Sequence, residues 1–134
     1  MRILLDTNIL LDVALARAPH AAQSAAVLRW AEAGGEAAVA WHTLANCAYL
    51  LKGGGRAFLG RLLRLVNVAP TGTADTRRAL DLPMNDLEDA FQAAAALAWG
   101  ADAIVTRNIA DYRLSPVHAL TPAAFLKQIA ARLK

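Results

Sequence analysis

The chain has 134 residues, 57% of them hydrophobic and 19% charged, with a formal net charge of +3 and one cysteine. This predicts one domain, residues 1–134, around one core, and excludes a disordered chain. No apolar run reaches the roughly 18 residues of a membrane helix, the lone Cys47 leaves no disulfide framework or cysteine zinc site, and the mildly basic balance permits a polyanionic partner without demanding one.

Met1-Arg2-Ile3 runs directly into an apolar strand without the apolar segment and cleavage site of a secretory leader, so a cytoplasmic location with no membrane contact is expected. Abundant alanine favours helices and close packing between them. Arg2–Leu5 stops at a polar turn and reads as a buried strand. Asn8 caps a predicted helix through Ala18 that Pro19 closes, with Asp12 on its solvated face. Residues 20–33 form a second helix, ended by Gly34-Gly35. "AAVAW" (37–41) is a second strand, after which Thr43 caps "LANCAYLLK". Gly53-Gly54-Gly55 lacks the lysine and hydroxyl of a phosphate loop and reads as a flexible connector.

Residues 56–67 form an amphipathic helix with Phe58, Leu62, Leu65 and Val66 inward and Arg61 and Arg64 outward. "VNVAP" is a short strand, and 74–81 a small helix. Asn85 or Asp86 caps a long helix to Trp99, stopped by Gly100. "DAIVT" (102–106) is a strand, a polar loop leads to a weak strand at 117–119, and Thr121-Pro122 opens a final helix. Tyr49, Phe58 and Phe91 read as core, and His20, His42 and His118 are scattered without ligand spacing.

Strands alternating with helices predict an α/β fold: a three-layer αβα sandwich around a central, mostly parallel sheet. Its functional crevice lies outside the carboxyl ends of the strands. Asp6, Thr7, Asn8, Asn46, Thr106, Asn108 and Asp111 all fall on that edge. In "NDLEDAFQ" (85–92), Asp86 and Glu88 suit a first helical turn, and Asn85 with Glu88 resembles a capping box. Asp89 lies where the helix face turns inward, on the same face as Asp86. Asp6, Asp89 and Asp111 therefore form a predicted carboxylate cluster with no histidine or cysteine partner. Hard oxygen donors select Mg²⁺ or Mn²⁺, and such sites suit phosphodiester hydrolysis.

"LLDTNILLD", "HTLANCAYLL", "DLEDAFQAAAA", "IVTRNIADY" and "ALTPAAFL", in that order, resemble the PIN domain family, in particular its VapC-type toxin branch. The resemblance implies a parallel sheet between helices, an acidic Mg²⁺ or Mn²⁺ site, and cleavage of single-stranded RNA by the toxin of a toxin–antitoxin pair. It assigns catalytic and metal-binding roles to Asp6, Asp89 and Asp111, and supporting positions to Thr7, Asn8, Asn46, Asp86, Thr106 and Asn108. Asn108 stands where many relatives carry another aspartate. Asn46 stands where the family usually offers a glutamate, so the site has one expected charge fewer. Partners implied are RNA and an antitoxin protein, and a homodimer is expected. Because acids repel phosphate, Arg61, Arg64 and Arg107 are the expected RNA-binding groups, with Arg77 and Arg78 as further options.

Two other readings compete. A PIN-like module that binds RNA or a protein with weak or no catalysis is supported by Asn46. A phosphotransferase of the haloacid-dehalogenase type also starts with a strand ending in aspartate, but needs a second aspartate where this chain has Asn8.

Overall fold

The computed structural model describes residues 1–133. Its centre is a sheet of five strands: β1 (Arg2–Leu5), β2 (Glu36–Val39), β3 (Asn67–Val68), β4 (Ala103–Val105) and β5 (Ala119–Leu120). Their order is β3-β2-β1-β4-β5 and every pairing is parallel, as the alternation of short apolar strands and helices predicts. β1 is central: Ile3 pairs with Ala37 on one side and Ala103 on the other. The chain winds outward from β1 to β3 and then crosses to β4, so the winding reverses between β1 and β4. That is the topological switch point where such sheets open a crevice.

The helices are α1 (Thr7–Ala14), α2 (Ala21–Glu32), α3 (Trp41–Leu51), α4 (Gly55–Leu62), α5 (Thr73–Asp81), α6 (Leu87–Trp99) and α7 (Pro122–Arg132). Alternate strand residues feed two cores. Ile3, Leu5, Val39 and Val105 join Ile9, Leu10, Val27 and Phe125 on one face. Leu4, Ala38 and Ile104 join Ala93, Ala96 and Tyr112 on the other. The buried alanines of α6 keep that helix close to the sheet. No helix among the described residues is long and apolar enough to cross a membrane.

Several local expectations change. Asp6, not Asn8, caps α1, its carboxylate accepting from the Thr7 N–H at 2.7 Å. The helix ends at Ala14 rather than 18 because Arg17 turns back to bond the Asp12 carbonyl at 3.0 Å. Asp12 is fully buried, not solvated: its carboxylate accepts from Arg17, Ser24 and Arg107. The predicted helix over 56–67 stops at Leu62, where the chain tightens and turns Val66 into the core before β3. The triple glycine is no loose connector. Lys52–Gly54 form a 3-10 turn leading into α4, and a Cβ on Gly55 would lie 3.4 Å from the Ala48 Cα. Tyr49 projects to solvent at 79% exposure, whereas Leu44 and Cys47 take the buried face of α3. Thr43 does not cap that helix; it is buried within it and bonds the polar centre described below. Gly100 ends α6 in the left-handed region (φ 79°), and Thr121 caps α7 with Pro122 behind it, both as predicted.

Candidate active site

Asp6 ends the central strand at the switch point, and its N–H donates to the Val105 carbonyl at 3.0 Å. Its nearly buried carboxylate is surrounded by donors. Oδ1 accepts from the Thr7 N–H (2.7 Å) and from Gln92 Nε2 (3.3 Å). Oδ2 accepts from the Thr106 hydroxyl (2.7 Å), the Tyr112 hydroxyl (3.1 Å) and Asn8 Nδ2 (3.4 Å). Charge-assisted bonds of this kind compensate the burial of a carboxylate and fix its direction. Thr106 in turn accepts from the Asn108 N–H at 3.0 Å, which ties the loop after β4 to the same centre.

Asp89 stands across from Asp6 and shares a donor with it. The Tyr112 hydroxyl lies 3.2 Å from Asp89 Oδ1 and 3.1 Å from Asp6 Oδ2. One phenolic hydrogen thus sits between two carboxylates. Burial, then the two charges, raise the phenol far above its ordinary pKa, so Tyr112 stays a neutral donor. Burial first, then Asp86 and Asp6, push the Asp89 carboxyl up to about 6, and the Tyr112 bond opposes that rise. Asp86 itself caps α6, accepting from the Asp89 N–H at 3.1 Å.

An open cavity of about 500 Å³ exposes Asp6, Asn8, Asn46, Glu88, Asp89 and Asn108. Glu88, which the helix dipole alone explained in sequence, belongs to this cavity. Burial, followed by Asp6 and Asp86, raises its pKa, while the neighbouring Asn46 amide opposes the rise. Asp111 does not converge with Asp6. It sits on the 3-10 turn Ile109–Tyr112 and lines an adjoining cavity of about 230 Å³ with Asn85, Asp86 and Asp89. The tight turn that aims Tyr112 inward leaves Asp111 outward. Among the described residues, no three histidine, cysteine or acidic side chains close on one point.

The donor chemistry still fits a hard divalent cation. The cavity offers carboxylate and amide oxygens, and burial followed by repulsion from neighbouring acids raises the Glu88 and Asp89 carboxyls. Mg²⁺ usually takes one or two protein carboxylates and fills its remaining positions with water and substrate phosphate. Cys47 offers no alternative chemistry, since burial pushes its thiol up to about 11.

The arginines divide. Arg61 and Arg64 line a separate groove of about 630 Å³ between α1, α2 and α4, which shares no lining residue with the acid cavity. Arg77 and Arg78 are exposed on α5. Arg107 does reach the cavity, but two of its nitrogens are engaged by Asp12 at 2.7 and 3.2 Å.

Two residues at the centre went unassigned in the sequence reading. Gln92 is buried and donates to Thr43 (2.7 Å), Asp6 and Thr7 (3.3 Å each). Its signal was present: it is the one polar residue in "AFQAAAA", three residues from Asp89 and therefore on the same face. Tyr112 carried no such signal, because only the fold points it at Asp6.

Residues 2–110 match the sequence profile described as PIN domain. No curated protein sequence matches the chain. Among solved structures, VapBC2 from Rickettsia felis bound to a DNA fragment from its promoter is similar at a TM-score of 0.72, with 19% identity over 90% of this chain and 98% of that one. FitAcB from Neisseria gonorrhoeae gives 0.61, with 19% identity over 90% and 98%. FitAB bound to an IR36 DNA fragment gives 0.63, with 17% identity over 90% and 94%. With the profile spanning most of the sequence, and Asp6 and Asp89 meeting at the carboxyl edge of its sheet, this chain belongs to the PIN domain family.

Proposed function

We propose that the protein is a divalent-metal-dependent endoribonuclease that cleaves single-stranded RNA, acting as the toxin of a toxin–antitoxin pair. The observation that carries this reading is the Asp6–Tyr112–Asp89 bridge at the mouth of an open acidic cavity. Asp6 and Asp89 would hold Mg²⁺ or Mn²⁺, with Glu88 and Asn46 at the rim. When bound, such a cation supplies polarisation of the scissile phosphate and acidification of water. The protein's own groups do the positioning. Thr106, Thr7 and Gln92 fix Asp6, Tyr112 sets the spacing of the two carboxylates, and Asn8 and Asn108 secure the loop that closes the site.

Labelled single-stranded RNA incubated with Mg²⁺ or Mn²⁺ tests the reading. Wild-type protein is expected to cleave it, chelator to stop cleavage, and Asp89→Asn to abolish it with the circular dichroism spectrum unchanged. Cleavage that survives both chelator and Asp89→Asn rejects the assignment. RNA binding without cleavage favours the second reading, a PIN-like binding module, which the lack of a three-acid cluster among the described residues supports.

The neighbours named VapBC2 and FitAB support a protein partner. We assign the antitoxin to the groove between α1, α2 and α4, where Leu15, Phe58 and Leu65 offer apolar surface and Arg61 and Arg64 offer charge for acidic residues. Arg61 and Arg64 thereby pass from the RNA to the antitoxin. Arg107 keeps one face on the cavity for a phosphate. The homodimer belongs to the same proposal and is read by light scattering.

A further inference from the structure

α3 and α6 flank the acid cavity, and their facing side chains continue beyond it. Asn46 on α3 meets Glu88 on α6 at the rim. One turn back along α3, His42 meets Phe91, three residues on from Glu88, with ring centroids 5.8 Å apart and planes at 62°. Past that pair lies a second cavity of about 200 Å³, lined by Trp41, His42, Thr71, Asp75, Thr76 and Phe91 among others. The acid cavity and this aromatic one are therefore successive stations on one seam.

Three features of the second cavity are unexplained by folding. Trp41 is 68% exposed although tryptophan is a costly residue to leave in water. His42 Nε2 is buried and has no hydrogen-bond partner, in a protein where few buried side-chain polar atoms lack one. Asp75 uses Oδ2 to cap α5 through the Gly72 N–H at 2.9 Å, which leaves a second carboxylate oxygen at the rim. Burial keeps His42 below its usual pKa against the opposing pull of Asp6, so a neutral ring faces the cavity. The volume is below the roughly 300–1,000 Å³ of sites for drug-sized ligands and suits one planar ring system.

We propose that the Trp41–His42–Phe91 cavity is a nucleobase subsite that holds one base of the RNA strand whose backbone crosses the acid cavity. Single-stranded RNA is held by stacking splayed bases on aromatic side chains and by hydrogen bonds to their edges. Trp41 and Phe91 supply the ring surfaces. The free Asp75 oxygen supplies an edge contact, and an exocyclic amino group is its natural donor. The subsite rests on the nuclease reading above and adds to it a source of sequence preference.

The test is fluorescence anisotropy with a short fluorescein-labelled single-stranded RNA in chelator, together with cleavage mapping in Mg²⁺. Trp41→Ala is expected to weaken binding by about tenfold, the loss of one stacked base, and Trp41→Phe to recover most of it. In Mg²⁺ the alanine variant should raise KM more than it lowers kcat and should shift the preferred cleavage positions. An abasic nucleotide at one position of the RNA should cost as much as Trp41→Ala and make that change silent. Wild-type binding that Trp41→Ala leaves unchanged, with the same cleavage positions, overturns the subsite and spares the nuclease reading. A variant that loses self-association while each protomer keeps its RNA affinity assigns Trp41 to a second copy and also overturns the subsite. Wild-type protein that neither binds nor cleaves RNA overturns the nuclease reading, and the subsite with it.

Discussion

Arg107 reaches across from the loop after β4 to Asp12 on α1, with Nε 2.7 Å from Oδ2 and Nη2 3.2 Å from Oδ1. Asp12 is fully buried and also accepts from Arg17 and Ser24, so two arginines and a hydroxyl neutralise one hidden charge. The pair pins the site loop to the helix that Asp6 caps. Asp12→Ala is expected to destabilise the fold by about 3 kcal/mol, at the low end for a broken buried pair because both arginines can turn to solvent. Urea denaturation measures it. A loss under about 1 kcal/mol, the scale of an exposed pair, would return Asp12 to the surface role its helical position suggested.

Asp6 and Asp89 should respond differently to the same chemical change. An asparagine at position 6 turns an amide NH₂ toward one set of donors, either Thr7 and Gln92 or Thr106, Tyr112 and Asn8. Leaving those groups mismatched is expected to cost about 1–3 kcal/mol. Among the described residues Asp89 takes Tyr112 alone as a side-chain donor, and its charge is disfavoured by burial and by neighbouring acids, so Asp89→Asn should leave the fold at least as stable near neutral pH while removing cleavage. Denaturant titrations of both variants decide, and equal losses would contradict the difference in their surroundings.

The sheet was legible because short apolar runs bounded by polar turns have few alternatives, and the carboxyl-edge rule then located Asp6, Thr106 and Asn108 without coordinates. Asp12 was misread because helical spacing says which side a residue faces, not what covers that side; Arg107 comes from far along the chain. Asp111 was misread for a related reason. Its position after β4 put it at the carboxyl edge of the sheet, but the 3-10 turn gives the inward place to Tyr112. Glu88 had an ordinary explanation at the start of a helix, and only its neighbour Asn46 on α3 marks it as part of the site. Local pattern thus identified the edge of the sheet, and contacts between distant segments chose which acids share it.

Proton competition gives a pH signature. The Asp89 carboxyl is raised from 3.8 to about 6, so the folded protein holds a proton there that the unfolded chain releases. Stability from this group therefore rises as pH falls through about 6 and is fully present only below the unfolded value of 3.8. Without metal, the melting temperature of the wild-type protein minus that of Asp89→Asn should rise as pH falls from 7 to 5. The same proton opposes the cation, so the apparent Mg²⁺ affinity should fall as pH drops through about 6. Thermal melts in chelator and calorimetric Mg²⁺ titrations, each across this range, measure the two effects. A melting difference that grows with pH would have the wrong sign for a raised carboxyl pKa.

Asn46 and Glu88 make the remaining prediction, which concerns where the site keeps its third charge. The family resemblance led to an expected glutamate at 46, and the chain has an amide there. Glu88 on the opposite helix lines the same cavity, where the neighbouring Asn46 amide favours its charged form. The lining of the cavity makes Glu88 the candidate for that charge. Glu88→Gln should therefore weaken Mg²⁺ binding by about tenfold, as the loss of one carboxylate near a divalent ion does when water intervenes. Asn46→Glu alone should gain little, because it sets two carboxylates against each other where one amide–carboxylate contact stood. The double variant Asn46→Glu/Glu88→Gln restores an amide–carboxylate pair with its ends exchanged, and should recover most of the lost affinity. Isothermal titration with Mg²⁺ separates these outcomes without relying on cleavage. A Glu88→Gln protein that binds Mg²⁺ as tightly as wild type would remove Glu88 from the site, and a strong gain from Asn46→Glu alone would show that position 46 is a weakened ligand in its own right.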